Sequence, residues 1–291
     1  CYMDPIMRKT GLTPDQHMRA QLYSLLEPLP RDEGIVDILG NDLPTDEGSE
    51  LHAALRRAGK RVLDLTALRR YAEYREMAAA ALYITTYPSA RAGGDLLARR
   101  LGGRHLYLPA SWNAEEIERS LHELEEALGL PRTDYAPARA RAWEALEDAR
   151  RMLDMPVVLD YTAHPRPLGL ARLLCTAGFD VRGVYLDTIS GEERADLDWL
   201  RAHAPELLLH PTAAPAMRVS ARGGAEVLAI GQKAAYFTGT AHFVNLVEGG
   251  GLYGFHGMER LAELLREAYR TPKDTRSIIQ IKGWSCGGCC I

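Results

Sequence analysis

Short apolar runs alternate with amphipathic stretches twice along this chain, and that rhythm constrains the fold more than any single motif does. Apolar runs at 35–39, 61–65, 82–86 and 105–109 are followed by segments of helical spacing at 50–58, 71–80, 95–101 and 114–128. Gly59, Gly102 and Gly129 end three of those helices, where a left-handed residue closes the last turn. An apolar run bounded by turn residues and too short for a helix reads as a buried strand. Strands alternating with helices over short links predict a parallel sheet covered on both faces. A charged helix over 138–153 interrupts the series. It then resumes with strands at 157–161, 181–186, 207–210 and 227–230 and helices at 167–177, 193–202 and 258–269. The fold class is therefore α/β, with two Rossmann-like doubly wound domains and mostly parallel sheets. The expected boundaries are an arm over 1–32, a domain over 33–134, a bridging helix over 135–155, a domain over 156–270 and a tail over 271–291. Within the arm, Thr13-Pro14-Asp15 starts a helix. Ligands of such sheets sit beyond the carboxyl ends of the strands.

Composition narrows the class. The 291 residues suffice for two domains with cores, and a net charge of −4 gives no argument for a nucleic-acid partner. No apolar run approaches the roughly 20 residues of a membrane span. The five cysteines form no framework of spaced pairs, which points to a reducing, cytoplasmic setting. Cys175 lies in an apolar helical stripe and reads as core. The first residue is Cys1 rather than methionine, so the expectation is a processed chain or a fragment.

The closing segment is the richest in chemistry. Ile230-Gly231-Gln232-Lys233 ends a strand and starts a short helix, and Tyr253-Gly254-Phe255-His256-Gly257 leads into the last one. Amide donors at a helix start favour anions, and the Lys233 ammonium adds to them; the competing reading is an exposed surface lysine. Arg166, in His164-Pro165-Arg166-Pro167, follows a strand on a loop stiffened by two prolines, so it either presents its guanidinium to a ligand or caps a neighbouring helix. His164 is a ligand or acid–base candidate, or fills the loop. Thr85, Thr86 and Tyr87 end another strand, where hydroxyls bond a substrate or satisfy turn amides. Asn41 and Asp42 carry the same two readings, with turn chemistry favoured. His242 reads as a core histidine, and His256 as a loop residue facing the site. Cys286-Gly287-Gly288-Cys289-Cys290 offers a C-x-x-C pair for metal or dithiol chemistry, yet no second pair completes a four-ligand site. Cys1, Cys286 and Cys289 are the candidate metal ligands.

The ordered set of segments resembles the nitrogenase component 1 family. Asp37-Ile38-Leu39-Gly40-Asn41, with Leu55-Arg56-Arg57-Ala58-Gly59-Lys60-Arg61-Val62, is similar to the family's second domain, as is Leu82-Tyr83-Ile84-Thr85-Thr86-Tyr87. Val157-Val158-Leu159-Asp160-Tyr161 and Ala177-Gly178-Phe179-Asp180-Val181 look like the start of its third. The likeness runs from about residue 34 to residue 269. It implies three Rossmann-like domains in a complete member, of which this chain matches the second and third. An iron–sulfur cluster would then be held mainly by the amino-terminal domain outside this chain, and a further metallocofactor would be of open identity. Lys233 would contact carboxylates of a bound organic acid or cofactor. Arg166 would lie over that cofactor. Two departures stand out. Thr86 falls where catalytic members place a cluster-ligating cysteine, and a hydroxyl is a poor replacement for a thiolate on iron. His242 comes several residues before the family's ligand histidine.

The resulting expectation is an oxidoreductase subunit, nitrogenase-like and iron–sulfur-dependent. Its partners would be a homologous second subunit in a hetero-oligomer, an ATP-dependent iron protein as reductase, and a small-molecule substrate. The alternative is a cofactor-assembly scaffold or carrier without turnover. A small-molecule or nucleotide-sugar protein of similar plan is a third reading, but no G-x-G-x-x-G follows a strand here.

Overall fold

A computed structural model describes residues 11–218 and 225–275, together with residue 278. The chain divides into two units, one formed by residues 1–110, 115–135 and 251–254, the other by 111–114, 136–250 and 255–291.

The first unit begins with α1 (Pro14–Ser24), whose Thr13 hydroxyl accepts from the Gln16 N–H while Gln16 returns the bond to the Thr13 N–H. Thr13→Ala removes half of this reciprocal cap and should lower the stability of the unit by about 1 kcal/mol, read as an earlier midpoint in urea. Then come β1 (Asp32–Leu39), α2 (Glu50–Arg57), β2 (Arg61–Asp64), α3 (Tyr71–Glu76), β3 (Ala80–Thr85), α4 (Pro88–Leu101), β4 (Arg104–Tyr107) and α5 (Ala114–Ala127). The strands form one parallel sheet in the order β2-β1-β3-β4. β1 and β3 are central; β1 is buried from Ile35 onward and β3 along nearly its whole length, as their mostly apolar sequences require.

α4 starts earlier than the sequence suggests, because Gly93 and Gly94 lie inside it. Two glycines read as a helix break, but here they allow close approach. A Cβ at Gly93 would meet the Tyr23 ring at 2.6 Å, and one at Gly94 would meet His105 Nε2 at 2.4 Å. Packing of α1 and β4 against this helix outweighs its poor local propensity.

The second unit contains α6 (Ala136–Met152), β5 (Val157–Asp160), α7 (Pro167–Thr176), β6 (Val181–Tyr185), α8 (Arg194–His203), β7 (Leu208–His210), β8 (Leu228–Ile230), α9 (Gln232–Thr238), β9 (Phe243–Val244) and α10 (Gly254–Arg270). Its five strands are parallel in the order β7-β6-β5-β8-β9. Both sheets are doubly wound, so the α/β expectation holds for each. α10 begins several residues before the expected start, which places His256 in its first turn rather than on a loop.

Each sheet reverses its winding beside its first strand. The reversal falls between β1 and β3 in the first unit and between β5 and β8 in the second. There the connections leave on opposite faces, and a crevice opens at the carboxyl ends.

Candidate functional site

At the reversal point of the second unit, Asp160 ends β5 with a fully buried side chain. Its Oδ1 accepts from the Thr162 N–H at 2.6 Å and the Thr162 hydroxyl at 2.5 Å. Its Oδ2 accepts from the Ala234 N–H, in the first turn of α9, at 2.6 Å. Burial raises this carboxyl above its ordinary value, against the lowering effect of the bonds from Thr162, Ala234 and Ala163. The carboxylate thus joins β5 to α9 across the reversal and sets where α9 begins.

Lys233 is the second residue of α9. Its Nζ lies 5.3 Å from the centroid of the Tyr161 ring. Burial works to lower this ammonium, but Tyr161, then Asp187 and Asp160, outweigh it and raise the pKa, so Lys233 stays charged through neutral pH. Asp187, just beyond β6, accepts from the Thr212 hydroxyl at 2.5 Å and the Ala213 N–H at 2.8 Å. The result is an oriented cation at the carboxyl ends of β5, β6 and β8. A cation so placed is able to attract negative charge, and the Tyr161 phenol beside it is able to donate a hydrogen bond.

The first unit holds a similar Asp-x-Thr turn, and there the buried Arg19 guanidinium donates to the Gly40 carbonyl oxygen at 2.6 Å and to Asp42 Oδ1 at 3.0 Å. Asp64 ends β2, and its Oδ1 accepts from the Thr66 N–H at 3.1 Å and the Thr66 hydroxyl at 2.7 Å, while Oδ2 accepts from the Thr45 N–H at 3.1 Å. Thr86 donates to Asn41 Oδ1 at 2.6 Å, and Asn41 Nδ2 donates to Thr45 Oγ1 at 2.7 Å. These groups knit the loops after β1 and β3 together at the reversal point.

The sequence profile of the nitrogenase component 1 type oxidoreductases matches residues 15–272. This chain belongs to that family. Two solved structures, of nitrogenase Cp1 at pH 6.5 and at pH 5, share its fold with TM-scores of 0.61 and 0.54. They are 15% and 12% identical to it and cover 88% and 93% of it. The chain spans 64% of the length of each of those nitrogenase chains. Comparison with curated proteins finds no match.

With the nitrogenase-like fold in place, the positions picked from the sequence fall into separate groups. Lys233 lies on the rim just described. Thr86 and Tyr87 are buried at the end of β3, where Thr86 is bound to Asn41, and neighbouring Thr85 bonds His105 Nε2 at 2.8 Å. His164 is 1% exposed and packs its ring 5.0 Å from Trp112. It accepts the Arg166 N–H on Nδ1 at 3.1 Å, and burial first, with the Arg166 charge adding, pushes it down to about 3. The ring is neutral at physiological pH, with its hydrogen on Nε2. The Arg166 side chain is buried and turned towards Asp196 of α8, with Nη2 to Oδ2 at 3.8 Å. His256 is half-buried in α10. His242 sits just before β9, at the opposite end of the strands from Lys233, with Nδ1 at 2.9 Å from the Ala268 carbonyl oxygen. Cys1, Cys286 and Cys289 lie outside the described residues.

Asp160, Tyr161 and Asp187 were not singled out from the sequence, although one signal was present. Asp-x-Thr occurs at the ends of two predicted strands, as Asp64-Leu65-Thr66 and Asp160-Tyr161-Thr162, and marks the turn in which a carboxylate accepts both the N–H and the hydroxyl two residues on. Among the described residues, no group of three or more His, Cys, Asp or Glu side chains is arranged to hold a metal ion. No helix among them is long and apolar enough to cross a membrane.

Proposed function

We propose that this chain acts as part of a nitrogenase-like, iron–sulfur-dependent oxidoreductase subunit, and that the Lys233 rim binds the anionic groups of a small molecule or cofactor. The carrying observation is Lys233 itself. It is charged, oriented on Tyr161 and placed by Asp160 at the sheet's reversal point. Family membership supports the wider reading, in which an ATP-dependent iron protein delivers electrons to a complex containing a homologous second subunit.

The described donor set does not fit a resident metallocluster. Thr86 offers a hydroxyl already committed to Asn41, and His164 is enclosed and hydrogen-bonded to its own loop. In this reading Arg166, turned to Asp196, holds the loop after β5 in place, and the described residues contribute binding and orientation rather than metal ligation. The Thr86–Asn41 bond also favours a second reading, a scaffold or carrier of the same fold that holds a metallocofactor precursor without turnover.

Citrate serves as a polycarboxylate probe of the rim. Calorimetric titration should detect binding to the unaltered chain, and Lys233→Met should weaken it by about 10–100-fold, the effect of losing one charge-assisted contact. Equal affinity in both proteins would remove Lys233 from the site. ATP-dependent reduction in an anaerobic mixture with an iron protein and the second subunit would support the oxidoreductase; cofactor transfer without reduction would support the carrier.

A further inference from the structure

The Lys233 rim carries a second, opposite charge, and the two do not meet. Asp187 lies two residues beyond Tyr185, the last residue of β6, and is one of the carboxylates whose charge acts on Lys233. Among the described residues the two form no ion pair. Asp187 is held instead by the Thr212 hydroxyl on Oδ2 and the Ala213 N–H on Oδ1. Each bond uses a different oxygen, so each oxygen keeps a lone pair for a further donor. The residue is exposed.

The sheet order sets the gap between them. β6 and β8 flank β5, and neighbouring strands stand about 4.8 Å apart, so Asp187 and Lys233 leave from strands about 10 Å apart. Tyr161, directly after β5, sets its ring against Lys233 Nζ. An aromatic stack then fixes α9 against the sheet. Phe237 lies one turn after Lys233, on the same face of the helix. Its ring stacks on Tyr185 at 5.2 Å, and Tyr185 stacks on His210 of β7 at 4.7 Å. Closing the gap would break these ring contacts or the two bonds that hold Asp187.

The amide of Ala234 is already taken by Asp160, so the free donors of the rim are side chains. A ligand here meets the Lys233 ammonium and the Tyr161 phenol on one side and a carboxylate on the other. Negative charge alone is repelled by Asp187. A ligand that also carries an ammonium gains a second charge-assisted bond.

Resting on the reading of Lys233 as an anion contact, we propose that the rim selects a small zwitterion of the amino-acid class, its carboxylate on Lys233 and Tyr161 and its ammonium on Asp187.

Titrations of the full chain followed by NMR test this. The probes are β-alanine and γ-aminobutyrate, with propionate and butyrate as the matched acids that lack the amine. At least one amino acid is expected to bind about 10-fold more tightly than its matched acid, the effect of one charge-assisted bond. Asp187→Asn should erase that preference, whereas Lys233→Met should weaken acid and amino acid together. Should Asp187→Asn not fold, the comparison on the unaltered chain decides alone. A preference that survives in Asp187→Asn would overturn the proposal. Equal affinity of both amino acids and their matched acids for the unaltered chain, with citrate still bound through Lys233, would overturn it and leave the anion contact standing. Citrate binding untouched by Lys233→Met would overturn both.

Discussion

Gly231→Ala is expected to destabilise the second unit by about 2–5 kcal/mol, combining backbone strain with a forced contact. Gly231 joins β8 to α9 at φ 103°, ψ 160°, a conformation open to glycine and to almost no other residue. A Cβ would also lie 2.5 Å from Asp160 Oδ2 and 2.7 Å from its Cγ. That carboxylate cannot retreat without giving up the Ala234 and Thr162 donors it holds. Urea unfolding of the variant measures the loss. The double variant Gly231→Ala, Asp160→Ala separates the two parts, because it relieves the contact and leaves the strain. A single variant as stable as the parent would refute the backbone geometry on which the Lys233 rim depends. Since α9 carries Lys233, citrate binding should fall with the same substitution.

The second large effect concerns Asp37, in the middle of β1. Its side chain is fully buried, and neither carboxyl oxygen has a hydrogen-bond partner. Its strand neighbours on the same face, Ile35 and Leu39, belong to the apolar cluster that includes Leu63 and Tyr83. Tyr83, directly opposite on β3, has an unpartnered hydroxyl of its own. The nearest charges, Arg61 and Glu76, are paired with each other. Burial therefore raises the Asp37 carboxyl well above its ordinary value, with Arg61 opposing and Glu76 adding a smaller part. The sign follows from linkage. The folded chain keeps a proton that the unfolded chain releases near the ordinary carboxyl value of about 3.9, so stability from this group is complete below that pH and is lost as pH rises through the folded value. Asp37→Asn is accordingly expected to be more stable than the parent by about 1–3 kcal/mol at pH 8, with the gap closing towards pH 4. Parallel pH profiles of unfolding for the two proteins would show that Asp37 does not ionise against the core.

Much of the architecture was legible because strand and helix periodicities differ and each buried strand leaves a short, mostly apolar run. The runs at 35–39, 82–86 and 157–161 correspond to β1, β3 and β5. Where local rules misled, tertiary contact was the cause. The helix expected over 95–101 begins at Pro88 and includes Gly93 and Gly94, because the Tyr23 and His105 rings fill the space that side chains would take. Lys233 could be picked out, since a lysine after a strand–Gly turn is a local pattern. Its partners could not, because Tyr161 and Asp187 follow other strands and approach it only through the order β6-β5-β8.

The sequence by itself determined two parallel α/β sheets and the family to which they belong. These rest on periodicity and turn chemistry, which act between near neighbours along the chain. The tertiary structure decided what each polar group does. His164 and Arg166 share a loop motif that looks poised for a ligand, yet burial holds the histidine neutral and Asp196 takes the guanidinium. Asp37 sits in an apolar run and becomes a titrating group inside a core. Desolvation and pairing depend on what lies within a few ångströms in space, and separation along the chain does not record that.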